Sequence, residues 1–306
     1  MSILLSSNFQ WVLMSTLLLG MASGLIGCLA YYKKQSLMSD ALSHAALPGV
    51  VTAFLIFQEK DLLILIMGAS LSALLGAFLI MLIKSTTRIT EDTAMGMILA
   101  VFFGGGMVLI PLVNRSSGGN QAGLDTFIFG QAASMVQNDV ILMSILAVVV
   151  ILIVIVGFKE WKLFLFDPDF GKGLKLSIKG MNIIYLLALV LTIVIGIQAV
   201  GVILMSALLI IPPVSARYWT HSFKHMMWLS GLFGSIAGAV GTIVSSFGSS
   251  WPTGPFIVLT SGIIFLLSLF FGIKKGLVVE RLMLRNKRKE VLKQVISSSI
   301  VKEGKS

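Results

Sequence analysis

An aspartate and a histidine stand four residues apart inside an apolar run, S-D-A-L-S-H-A-A-L-P-G-V at 39–50. At i and i+4 of a helix, Asp40 and His44 share one face and can reach a common ligand. One carboxylate oxygen with one imidazole nitrogen is half a coordination shell for a divalent transition metal. The same pair could relay protons, or could only hydrogen-bond with each other or with a neighbouring helix. The residues alone leave these three readings open. Ser39 and Ser43 add hydroxyls nearby, and Pro48 removes a backbone donor beside His44. A metal wants four to six ligands, so a homodimer would have to bring two aspartates and two histidines together across its axis.

The elements that hold the pair are membrane helices. The chain has 306 residues, 57% hydrophobic and only 12% charged. Residues 182–216 and 226–273 carry no charge at all, and about 20 apolar residues suffice to cross the hydrocarbon core. The sequence predicts an all-α polytopic membrane protein with about nine spans, eight at the fewest. They lie near 9–31, 37–57, 61–83, 93–113, 139–158, 182–198, 200–216, 226–247 and 255–273. Within them, away from their ends, Asp40 and His44 are the only ionisable pair. A charge at that depth costs about 2.5–3.5 kcal/mol on insertion scales and faces the bundle interior or a water-filled path.

The net charge of +10 does not indicate a nucleic-acid partner, because its distribution follows the spans. Lys33, Lys34, Lys84, Arg88, the five lysines between 159 and 179, Arg217, Lys224 and ten basic residues from Lys274 onward all fall on one side. Lys60 and Arg115 fall on the other. The positive-inside rule then predicts an outside N-terminus and a cytoplasmic C-terminus. Cys28 is the only cysteine, which excludes an intramolecular disulfide. The run Leu25-Ile26-Gly27-Cys28 superficially resembles a lipoprotein cleavage box but has no basic residue before it, so Cys28 is read as a packed membrane thiol and the first span as retained. No G-x-x-x-x-G-K-S/T loop occurs, so the chain carries no recognisable ATPase, and no soluble domain is evident.

Residues 1–275 read as the transmembrane domain, with a polar loop at 159–181, and 276–306 as a basic amphipathic tail on the membrane surface. Gly20 with Gly24, and Gly234 with Gly238, are small-xxx-small pairs that let helices approach closely. Gly104, Gly105 and Gly106 weaken one span, and Pro212 and Pro213 remove donors from another, so both are candidate hinges, as breaks or as kinks. The stretch 123–139 is too short to span and reads as a re-entrant or interfacial helix on the outer side. His221 and His225 fall in a short basic loop and its edge and read as solvated. Asp167-Pro168-Asp169 is a helix-start signal, predicting a short helix of about ten residues.

The motif at 39–50 resembles the signature of membrane permeases of bacterial metal-ion ATP-binding-cassette importers, which carry manganese, zinc or iron. E-D-T-A-M-G-M at 91–97, F-D-P-D-F-G-K-G-L at 166–174, Q-A-V-G-V-I-L-M-S-A-L-L-I-I-P-P-V-S-A-R at 198–217 and P-T-G-P-F-I-V-L at 252–259 are similar to further stretches of that family. G-L-D-T-F-I-F-G-Q-A-A-S-M at 123–135 resembles the manganese and iron branch. In order and spacing these pieces cover residues 10–275. The resemblance implies a permease dimer, homomeric or heteromeric, in a bacterial cell membrane. It implies a separate cytoplasmic ATP-binding subunit below and an extracellular metal-binding lipoprotein above. Asp40 and His44 would then be metal ligands of the path. Asp167, Pro168, Asp169, Phe170, Gly171, Lys172, Gly173 and Leu174 would dock on the ATPase. The implied cargo is a divalent metal ion, manganese before zinc or iron, with no cofactor bound permanently and no enzymatic activity in this chain. A proton-coupled secondary transporter using Asp40 and His44 without an ATPase is the alternative.

Overall fold

The structure is a computed structural model, and it describes residues 7–58, 61–116, 135–248, 251–274, 276–279 and 281. The expected outer helix near 123–139 and the basic tail lie largely outside these residues. The main elements are α1 (Ser7–Tyr32), α2 (Ser36–Phe57), α3 (Leu62–Thr86), α4 (Glu91–Ser116), α5 (Gln137–Val156), α6 (Phe158–Phe166), α7 (Pro168–Gly173), α8 (Ile178–Val200), α9 (Val202–Arg217), α10 (Phe223–Ser245) and α11 (Thr253–Phe271). No strand occurs among the described residues.

Local signals start several helices. The Asp61 carboxylate accepts from the Leu63 amide at 2.9 Å, and the Ser177 hydroxyl from the Gly180 amide at 3.1 Å. Each satisfies one of the donors a helix N-terminus leaves open. Among the described residues eight helices are long and apolar enough to cross a membrane. The ninth expected span, 200–216, is α9, a shorter apolar helix of 16 residues. It needs no full lipid-facing length, because Val202, Met205, Leu208 and Leu209 are buried among other helices. A single residue, Gly201, joins α8 to α9 with φ 97°, a left-handed conformation that favours glycine.

The nine helices of span type alternate between two ends of the molecule. At one end the Tyr32 ring closes α1 against Phe166 at 5.1 Å and Phe223 at 5.3 Å, both edge-on. Phe158 stacks on Phe223 there, and the Lys274 amide bonds the Tyr218 carbonyl at 3.0 Å. At the other end Gly254 of α11 packs on the backbone of Val200. Apart from Arg115, at the far end of α4, the described basic residues lie at the first end, so the charge partition read from the sequence corresponds to one face of the bundle.

The closest helix pair is α1 with α10. Gly20 meets Gly234 backbone to backbone, and Gly238 meets Thr16. The Ser230 hydroxyl donates to the Gly24 carbonyl at 2.6 Å, and the Thr242 hydroxyl lies 2.9 Å from that of Thr16. The two small-residue pairs seen in the sequence are thus the two sides of one interface. Helix α2 is held against α3 in the same manner, with Gly49 on Gly68 and the Ser72 hydroxyl donating to the Ala45 carbonyl at 2.7 Å.

The two expected weak points lie within continuous helices. Helix α4 runs unbroken through Gly104, Gly105 and Gly106, and α9 through Pro212 and Pro213. Neither is a broken helix. Among the three glycines only Gly106 is closely packed, against Leu47 of α2, while Gly104 and Gly105 face open space.

Candidate functional site: the Asp40 and His44 pair

Asp40 and His44 lie in the first half of α2, one turn apart on one face. The Asp40 Oδ1 to His44 Nε2 distance is 3.7 Å, beyond an ordinary hydrogen bond. The side chain of His44 is 13% exposed and that of Asp40 36%, so the imidazole is recessed while the carboxylate is open. His44 Nδ1 is buried without a hydrogen-bond partner.

The neighbours fix this geometry. The Phe103 ring of α4 meets the imidazole edge-on at 4.8 Å and limits its rotation. Pro48 has no N–H to give the His44 carbonyl, so that oxygen lacks its helical donor. The Ser39 and Ser43 hydroxyls are spent within the helix, donating to Ser36 and Ser39 carbonyls at 2.9 and 2.7 Å. Their protons are therefore unavailable to a ligand, although both hydroxyls were attractive in the sequence. Phe103 was not found by sequence reasoning, since an aromatic residue in an apolar span carries no signal of its own.

Among the described residues no group of three or more His, Cys, Asp and Glu side chains comes together. The pair supplies two ligands, half of a shell. A carboxylate oxygen and a ring nitrogen suit a divalent ion of intermediate hardness. His225 is exposed at the basic end, and its neighbour His221 is exposed too. Cys28 is fully buried in α1, as a packed thiol would be.

The 159–181 loop folds as two short helices against that end. The Trp161 indole donates to the Ile153 carbonyl at 3.2 Å and anchors α6 to α5. The Asp167 carboxylate accepts from the Phe170 amide at 3.0 Å and caps α7, with Pro168 in its first turn. The predicted helix of about ten residues is six residues long, because the chain turns left-handed at Lys175, φ 62°. Lys172 pairs with Asp169 at 2.8 Å and holds that carboxyl below its usual range. Phe166, Phe170 and Leu174 project as an exposed apolar tip, each more than half exposed.

The sequence model described as the ABC 3 transport family matches residues 6–272. The chain is 42% identical to the manganese transport system membrane protein MntC of Bacillus subtilis, over 97% of this chain and 68% of that protein. It is 43% identical to the zinc transport system membrane protein TroC of Treponema pallidum, over 89% of this chain and 92% of that one. Among solved structures it resembles PsaBC from Streptococcus pneumoniae in complex with Fab, with a TM-score of 0.78 and 28% identity, over 93% of this chain and 97% of that chain.

Proposed function

The chain belongs to the ABC 3 transport family, and from that premise we propose that it is the membrane permease of an ATP-binding-cassette importer for a divalent transition metal. Manganese is the favoured cargo, ahead of zinc and iron, in keeping with relatives named for manganese and zinc transport. The observation that carries this reading is the Asp40 and His44 pair, the open ligand set in an otherwise apolar helix bundle. Asp40 and His44 are the metal ligands of the path, and a second permease copy completes the shell from across a dimer axis. The metal is cargo and no cofactor stays bound.

ATP hydrolysis belongs to a separate cytoplasmic subunit, which docks on the apolar tip of α6 and α7. The basic end faces the cytoplasm by the positive-inside rule, which puts the N-terminus outside and the C-terminus inside a bacterial cell membrane. A metal-binding lipoprotein delivers the ion from the opposite face. Gly104–Gly106 and Pro212–Pro213 flex as kinks when the path changes its opening.

The test is uptake of labelled manganese, zinc and iron by cells without their own importers. They express this chain with its ATPase and binding protein, as wild type, Asp40→Asn or His44→Ala, with membrane levels matched. Uptake of one metal by wild type alone supports the reading. Variants that transport as well as wild type would sink it. Uptake that survives ATP depletion but collapses with an uncoupler would favour proton coupling instead.

A further inference from the structure

At the basic end a second polar site, at the start of α2, is lined by neither Asp40 nor His44. A cavity of about 470 Å³ opens between the α1–α2 connection, the end of α3 and the starts of α4 and α8. Its polar wall is Lys33, Gln35, Lys84, Ser85, Glu91 and Asn182, and Met38, Ile80, Met81 and Leu186 supply an apolar wall. We propose that this cavity binds the headgroup of an anionic phospholipid, one phosphodiester at Lys33, with the acyl chains leaving along the apolar wall.

The charges fit one such group. Glu91 pairs with Lys84 and also accepts from the Gln35 amide. That leaves Lys33 as the second cation against one carboxylate, an excess of a single positive charge. Lys33 makes no ion pair among the described residues. Its ammonium donates to the Asn182 side-chain oxygen Oδ1 at 2.5 Å and lies over the rings of Phe164 at 4.8 Å and Tyr185 at 4.5 Å. Burial there pulls its pKa down from 10.5 to about 8, with the Glu91 carboxylate offsetting part of the fall and the Lys84 ammonium adding to it. A phosphodiester carries the one missing negative charge.

The uncharged groups fit the rest of a headgroup. Gln35 Oε1 is buried without a donor, which a glycerol hydroxyl would supply. The Asn182 amide nitrogen reaches only the Met81 sulfur, at 3.9 Å, which leaves it donor capacity for a phosphate oxygen. Basic pockets between membrane helices are a known chemistry for anionic lipid headgroups. A zwitterionic headgroup would bring its own cation against Lys33 and Lys84.

The experiment is native mass spectrometry of the full chain in detergent, titrated with phosphatidylglycerol, phosphatidylcholine or inorganic phosphate. Wild type should hold phosphatidylglycerol most tightly. Lys33→Gln should weaken it about tenfold, the loss of one charge-assisted hydrogen bond, and Lys33→Arg should retain it. Glu91→Gln should tighten it, because the competing carboxylate is gone and two donors are freed. A merely structural Glu91 would give the opposite. Equal retention of phosphatidylcholine, unchanged binding by a folded Lys33→Gln, or weaker binding by Glu91→Gln would overturn the proposal. Inorganic phosphate that displaces the lipid at equal concentration would overturn the lipid as the source of the phosphate.

Discussion

Gly27 of α1 lies directly against the carbonyl oxygen of Leu209 in α9. That carbonyl is the one Pro213 leaves without a helical donor. A missing hydrogen bond in one helix is thus lodged against the smallest residue of another. Gly27→Ala would drive a methyl into the Leu209 carbonyl. The expected outcome is overpacking of about 1–3 kcal/mol, read as a lower melting temperature in detergent. Activity per folded molecule should stay near wild type.

Pro212→Ala restores an N–H in the middle of α9, opposite the Leu208 carbonyl. The helix should stiffen. Transport should slow more than the amount of protein in the membrane falls, as read by initial uptake rates against immunoblot levels. Equal loss of both would mean that the proline serves folding alone.

His44→Cys tests the ligand role by changing softness rather than deleting a group. A thiolate favours zinc over manganese. The ratio of zinc to manganese uptake should rise, with Asp40 unchanged beside it. Phe103→Ala, which frees the imidazole to rotate, should raise the apparent KM severalfold and leave the ratio alone.

Asp167→Ala removes the cap of α7, worth about 1 kcal/mol. Less ATPase subunit should co-purify, while membrane insertion is unaffected. Asp169→Asn is the control, since its exposed pair with Lys172 contributes little. Phe170→Asp should cost more than either, because it places charge on the apolar tip.

Lys33 sets a pH dependence with a defined sign. Its folded pKa of about 8 lies below the ordinary 10.5. Between these values the unfolded chain binds more protons than the folded one, so stability rises with pH across that window. Below it the penalty is present in full. The melting temperature of lipid-stripped wild type minus that of Lys33→Met should therefore climb between pH 8 and 10, the difference cancelling other groups.

Much of the fold was legible because a membrane helix must satisfy its own backbone and face lipid. The spans follow from apolar blocks alone, and their ends differ from the observed helices by a few residues. Helix α9 counts among the expected spans, at 200–216, because hydropathy does not distinguish a helix surrounded by protein from one surrounded by lipid. Gly20 and Gly24 were recognisable as a packing face, as were Gly234 and Gly238. That they pack on each other is a long-range fact that no local pattern holds. Asp40 and His44 stood out because ionisable residues are scarce at that depth. Lys33 did not, since it sits among ordinary loop lysines, and only the fold brings Asn182 and two aromatic rings to it.

The one-residue joint at Gly201 has a mechanical consequence. Two rods hinged through a single residue have almost no slack between them. Helix α8 cannot slide along its axis without hauling α9, and with it the Leu209 contact on α1. In any exchange between openings the pair therefore counts as one lever, and the bundle has fewer moving parts than it has helices.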